Sequence, residues 1–314
     1  MCEPTAYHTP VLLAETLDAL VPEPGGLYID GTLGGGGHSA GILARLNGRG
    51  MLYGVDRDLD AIAAASKRLS GTQAFEAIHG NFQYIKSLMD ERGVGSVNGI
   101  LLDLGVSSHQ LDTPERGFSY HADAPLDMRM DRTRGKSAAD LISQMPENEL
   151  ARIFYEYGEE RWATRIAKII VEKRSLSPIL NTLQLVACVD AAIPRAVRNK
   201  DGGHSSRRVF QALRIAVNDE LAPLERALED AVGLLKPGGR LCVITFHSLE
   251  DRIVKRTFAR LRRPCICPPS FPICVCGKTP SLTERFHSPI FPGKQEIADN
   301  PRSASAKLRI GEKI

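Results

Sequence analysis

The chain has 314 residues, 43% of them apolar, a formal net charge of +3 and an isoelectric point of about 8.4. This length buries a core without staples, as one large domain or two of ordinary size. No apolar run approaches the roughly 18 residues a membrane span needs. The start, M-C-E-P-T-A-Y-H, lacks the basic and apolar regions of a signal peptide, so a cytoplasmic protein with no membrane partner is expected. The mild basicity permits a nucleic-acid partner without requiring one. Its excess sits in mid-chain, with 17 Lys and Arg against 13 Asp and Glu from Thr113 to Ile215, and 23 against 24 elsewhere.

In chain order, short apolar runs alternate with helical patterns over the first third. Strands are predicted at L-Y-I-D from Leu27, M-L-Y-G-V-D from Met51, F-E-A-I-H from Phe75 and V-N-G-I-L-L-D-L from Val97. Between them, helices are predicted at His38–Leu46, Leu59–Leu69 and Tyr84–Arg92, the second with Leu59, Ile62, Ala63, Ser66 and Leu69 on one face. Near-continuous apolar strands alternating with helices imply a parallel, doubly wound α/β sheet. After Val106 comes a loop rich in Gly, Pro and charge. Helical patterns follow without strands at Ser137–Met145, Glu149–Tyr157, Glu160–Arg174 and Thr182–Ile193, the first opened by a Ser137–Asp140 capping box. Sheet logic resumes with one long helix carrying Leu213, Val217, Leu221, Leu224, Leu228 and Leu235, stopped by K-P-G-G, and a buried strand from Gly239. The expectation is an all-helical domain, 113–215, inserted into an α/β domain of residues 1–112 and 216–314.

The turn Y-I-D-G-T-L-G-G-G-G-H-S, from Tyr28, reads as a ligand site. A P-loop is excluded, because Gly37 and His38 replace its lysine and hydroxyl. A dinucleotide loop is weakened, because Ser39 replaces the third glycine. S-adenosylmethionine fits better. It wants close backbone approach, an acid near its cationic end and an acid for its ribose. Asp30 ends the first strand and Asp56, 22 residues after Gly34, ends the second. Phe82 follows the third strand and Asp103 ends the fourth, so all four fall outside the carboxyl edge of the sheet, where ligands of open α/β sheets bind. Acids at strand ends also serve as helix caps, and NAD stays open as the second choice.

Ten segments carry a resemblance: H-T-P-V-L-L (from His8), the glycine turn, D-R-D (Asp56), L-L-D-L-G-V-S-S (Leu101), E-R-G-F-S (Glu115), P-L-D-M-R-M-D (Pro125), Y-G-E-E-R (Tyr157), F-Q-A-L-R-I (Phe210), F-H-S-L-E-D-R (Phe246) and N-P-R-S-A-S-A-K-L-R (Asn300). In this order they make the chain resemble the MraW family, the bacterial small-subunit ribosomal RNA methyltransferases H. The resemblance implies a Rossmann-like class I methyltransferase domain with a helical insert. It implies methylation of a cytidine N4 in the decoding region of 16S rRNA within the small subunit. It also implies cofactor contacts at Gly36, Gly37, His38, Asp56, Phe82, Asp103 and Gln110.

Cytosine N4 is a poor nucleophile, and alignment of nitrogen, methyl and sulfur is the main catalytic need. An acceptor on the amino group helps and later takes a proton. The D-P-P-Y motif of many amino-methyltransferases is absent here, where Asp103 is followed by Leu104-Gly105-Val106. Asp103 is the first candidate acceptor, a role that competes with its cofactor contact. His247 is the second, against the alternative that Ser248 and Asp251 simply start a helix. Phe118 or Tyr120 are candidates to stack the target base. Phosphates need Lys and Arg, and two stretches offer them, Arg195–Arg208 with five and Arg252–Arg263 with six.

Seven cysteines is an odd count, which suits reduced thiols or a metal better than a disulfide framework. Cys265, Cys267, Cys274 and Cys276 form two C-x-C pairs whose thiols point one way on extended chain. Four converging thiolates suit a structural zinc clip, although the usual C-x-x-C spacing is missing. An RNA-binding assembly factor without activity is the rival of another class, and the oligomeric state, a dimer included, is left open.

Overall fold

The computed structural model describes residues 10–22, 24–198, 205–268, 271, 273–283, 285, 286 and 288–314. The chain forms two compact units. One runs through Gly105 and resumes at Leu221, and the other is Val106–Glu220. The expected insert, 113–215, differs at both ends. A capped helix, Ser108–Asp112, opens the second unit, and the helix Arg207–Asn218 runs past residue 215.

The first unit holds a six-stranded sheet: β1 (Gly26–Asp30), β2 (Gly50–Asp56), β3 (Phe75–His79), β4 (Val97–Asp103), β5 (Leu235–Thr245) and β6 (Lys307–Glu312). The order is β3-β2-β1-β4-β5-β6, with β1 to β5 parallel and β6 antiparallel to β5. This is a Rossmann-like, doubly wound arrangement. The strands read as continuous apolar runs because both faces are covered. Ile100, Leu102, Leu241 and Val243 enter one core, while Leu101, Cys242 and Ile244 enter the other. Each such Leu or Ile is worth about 1.5–3 kcal/mol of burial.

Three details depart from the sequence expectation. The long helix from Leu213 is two helices, Arg207–Asn218 and Leu224–Leu234, because Asp219 turns left-handed at φ 47° and Pro223 lies just before the second. K-P-G-G lies within β5, where Lys236, Pro237 and Gly238 bulge out, exposed, and the pairing with β4 shifts register between Val97 and Gly99. β6 was not expected. Its buried Leu308 and Ile310 alternate with Lys307 and Arg309, which pair with Asp251 at 3.1 and 2.7 Å.

The second unit is helical, with Ala138–Gln144, Glu147–Glu156, Ala163–Arg174, Thr182–Ala192, Arg195–Arg198 and Arg207–Asn218 and, among the described residues, no strand. Leu150, Ile153, Phe154, Ile166, Ile170, Leu185, Val189 and Leu213 fill its core. The Ser137–Asp140 capping box opens the first of these helices, each partner satisfying the other's amide. Among the described residues, no helix is long and apolar enough to cross a membrane.

Candidate functional site

The glycine turn leaves β1 and bends back into the helix Gly37–Leu46. Gly34 and Gly36 have φ of 50° and 74°, backbone that side chains disfavour. Gly36 is the helix N-cap, and a Cβ on Gly37 would meet Pro10 Cγ at 2.5 Å. Gly34 N–H donates to Asp56 Oδ2 at 2.8 Å, so the acid ending β2 fixes the turn after β1. Asp58 N–H takes the other oxygen at 2.9 Å. Each Asp56 oxygen keeps a further lone pair for a ligand hydroxyl. Phe82 packs over the start of the turn, its Cβ 3.3 Å from where a Gly31 Cβ would stand.

Asp30 is 1% exposed and is held by Ser39 Oγ at 2.7 Å and by Thr32 N–H at 3.2 Å. Ser39, which breaks the dinucleotide pattern, therefore serves an acid. Burial raises the Asp30 pKa to about 6, with the charge of Asp56 adding to it. Burial also raises Asp56, against the pull of the Asp58 and Gly34 amides.

Asp103 lies at the end of β4, next to β1. Burial, then the charges of Asp30 and Glu250, raise its pKa to about 8. A quarter of the side chain is exposed, at 26%, yet Oδ1 is buried and has no hydrogen-bond partner among the described residues. Its own N–H donates to Thr32 Oγ1 at 2.6 Å. The other oxygen stands 3.6 Å from His38 Nδ1. Burial lowers the His38 pKa to about 4, so the ring is neutral at pH 7. His38 Nε2 lies 3.0 Å from the Val11 carbonyl, which only accepts, so Nε2 carries the proton. Nδ1 then offers a bare lone pair to Asp103, and that contact is attractive only when Asp103 is protonated. His38 holds this place from a position that is 6% exposed.

The end of β5 lies beside Asp103, which pairs with Ile244. His247, not Ser248, caps the helix Ser248–Arg262, with Glu250 completing the box. This shifts the expected helix start by one residue and gives His247 structural work. Glu250 N–H reaches His247 Nδ1 at 3.5 Å, and Nε2 stands 3.0 Å from Glu250 Oε1. Glu250, 1% exposed, is a residue the sequence reading missed. Its signal was its place three residues after His247. A cavity of about 260 Å³ opens here, lined by Thr245, Phe246, His247, Phe291 and Ser305 among others.

Other candidates fare differently. Gln110 lies in the helical unit, where its Oε1 accepts from Ser107 N–H at 3.1 Å as half of a capping box. Phe118 is a core anchor, 6% exposed, which withdraws it as a stacking partner. Tyr120 packs edge-on against Phe210, with centroids 5.6 Å apart. Within Arg195–Arg208, residues 199–204, Lys200 included, lie outside the described residues, as does His8 of the first motif. Arg198 pairs with Asp190 at 3.0 Å and Arg208 with Glu160 at 3.7 Å. In the second stretch, Arg260 pairs with Glu225, and Arg262 donates to the carbonyls of Thr283 and Ile310. Arg252, Lys255 and Arg256 are exposed at one-turn spacing and form a basic stripe.

The sequence matches the MraW methylase family over residues 5–314. Three relatives are each named ribosomal RNA small subunit methyltransferase H. That of Symbiobacterium thermophilum is 55% identical over 309 residues, covering 98% of this chain and 97% of its own. That of Heliobacterium modesticaldum is 53% identical, covering 98% and 99%. That of Geobacter sulfurreducens is 54% identical, covering 99% and 100%. Among solved structures, an rRNA methylase from Streptococcus thermophilus aligns over 96% of this chain and 93% of its own, with a TM-score of 0.39 and 12% identity, a likeness too slight to speak to function.

Proposed function

The chain belongs to the MraW methylase family, and we propose that it uses S-adenosylmethionine to methylate the exocyclic N4 of a cytidine in the decoding region of 16S rRNA, within the small ribosomal subunit. The names of its relatives support ribosomal RNA as the substrate. The observation that carries the cofactor is the acid cluster at the ends of three neighbouring strands, and above all the buried, unpartnered Oδ1 of Asp103. Buried acids with raised pKa values mark a site made to receive positive charge. The donor fits this set, because its ammonium and sulfonium are cationic. A dinucleotide does not fit, because its pyrophosphate would face like charge.

When bound, S-adenosylmethionine supplies a methyl group on a cationic sulfur. The chain's part is to bind, orient and take a proton. Asp56 offers lone pairs to the ribose hydroxyls, and the main chain at Gly36 and Gly37 lets the ligand approach. Asp30 and Asp103 meet the cationic end. Asp103 is also the acceptor for the amino group. Its pKa of about 8 sits near working pH, as a proton acceptor's should. Once the amino nitrogen had received a methyl group, the Asp103 carboxylate would take its surplus proton. His247 and Glu250 shape the adjoining wall, and the stripe at Arg252, Lys255 and Arg256 meets phosphate.

Transfer of a labelled methyl group to small subunits from a strain lacking this protein, followed by nucleoside analysis, tests the reading. Label on N4-methylcytidine is expected. Label on a ring carbon or a ribose oxygen refutes it.

A further inference from the structure

The loop after the helix Ser248–Arg262 has no core of its own. Ile266, Phe271, Ile273 and Val275 are 70%, 50%, 75% and 72% exposed. Ile266 and Val275 each stand between two cysteines, so the chain turns these apolar groups one way and the thiols the other, toward one another. The four sulfurs gather there. Sγ of Cys274 stands 3.5 Å from Cys265, 4.0 Å from Cys267 and 3.5 Å from Cys276, and Cys276 stands 3.9 Å from Cys265. All four ligand atoms lie within 4.8 Å of one another. Four sulfurs bound about 2.3 Å from one tetrahedral zinc stand about 3.8 Å apart. The observed spacings straddle that value. A disulfide would draw one pair to about 2.05 Å and leave the others without a role.

The main chain is shaped for thiolates. Val275 N–H donates to Cys267 Sγ at 3.3 Å. Gly277, at φ 64°, makes the turn that follows Cys276. Amide donors of this kind stabilise sulfur that carries negative charge.

We propose that Cys265, Cys267, Cys274 and Cys276 bind one zinc ion, a structural clip that orders the loop from Pro264 to Lys278. Binding releases the thiol protons to solvent and leaves no open coordination position, so the ion takes no part in methyl transfer. The site is independent of the reading of the acid cluster.

Metal analysis of the full chain, purified without chelator and dialysed against metal-free buffer, is expected to give about one zinc per chain. The variant Cys265→Ser/Cys274→Ser is expected to carry almost none. Less than about half an equivalent in the unaltered chain, or unchanged zinc in the variant, overturns the proposal. Iron in place of zinc, or two disulfides by mass spectrometry, overturns it equally. A second measurement guards against a variant that fails to fold. An organomercurial titrated into the unaltered chain should release zinc in step with modification of these four thiols. Release before those thiols react would contradict the assignment.

Discussion

Asp30, Asp56 and Asp103 stand at the ends of three adjacent parallel strands, whereas the four cysteines stand on a loop whose apolar side chains face water. Both regions crowd groups that become anionic. The sheet holds the acids in place before any ligand arrives, through the Gly34 and Thr32 amides and the Ser39 hydroxyl. Burial above all, with the neighbouring acids adding to it, raises their pKa values, to about 6 for Asp30 and about 8 for Asp103. The loop has no such scaffold. On the proposal made above, a bound zinc ion is what keeps its sulfurs together. Preorganised acids give a site that exists empty, and a thiolate clip gives one that exists only when filled.

Metal removal should separate the two regions most sharply. Structural zinc in small thiolate sites contributes about 10–16 kcal/mol at pH 7. Stripping it should open the amides of 264–278 to hydrogen exchange, while the amides of β1, β2 and β4 stay protected. Affinity for S-adenosylmethionine should change by less than about twofold, since the clip supplies no ligand to the cofactor. Next in size is Asp56→Ala. Loss of a charge-assisted hydrogen bond worth about 1.5–3 kcal/mol should weaken cofactor binding about 10- to 100-fold. Circular dichroism should show the fold intact.

A third acid sharpens the contrast. Asp251 is also partly buried, and burial alone would raise its pKa, but hydrogen bonds from Arg309 and Lys307 outweigh that and lower it. Its contribution to stability is present above the ordinary carboxylate pKa and is lost as pH falls through the lowered one. Asp251→Asn should therefore destabilise the chain, by about 1.5–3 kcal/mol in denaturant unfolding at pH 7. Asp103→Asn should do the opposite. The ligand-free folded chain holds a proton on Asp103 that the unfolded chain gives up above about pH 4, so stability falls as pH rises from about 4 toward 8. The substitution removes that slope and should raise stability at pH 8, while weakening cofactor binding.

Much of the sheet was legible because its inner strands are buried on both faces, and β1, β2 and β4 each read as an apolar run ended by an acid. β6 was not, because Lys307 and Arg309 make it look like a charged tail. Their partner, Asp251, lies 56 and 58 residues away. The break at Asp219 was hidden because its left-handed backbone leaves no mark in an apolar pattern of helical period. At the site, the acids, the glycine turn and His38 could be named from the chain. The neutral tautomer of His38, the orphaned Oδ1 of Asp103 and the burial of Glu250 depend on contacts that only the fold supplies. Phe118 misled because an aromatic in a loop looks like a ligand platform until its surroundings are known. The cysteine spacing was visible, but not that all four sulfurs meet.

The central claim is that the strand-end acids are built for a cationic methyl donor. Calorimetric titration of S-adenosylmethionine at about pH 5.5 and about pH 7.5, in buffers of different ionisation heat, tests it most directly. Binding should be tighter at the higher pH, and protons should be released as Asp103 ionises against the ligand's charge. Affinity independent of pH with no proton release, or binding of NAD in its place, would contradict it.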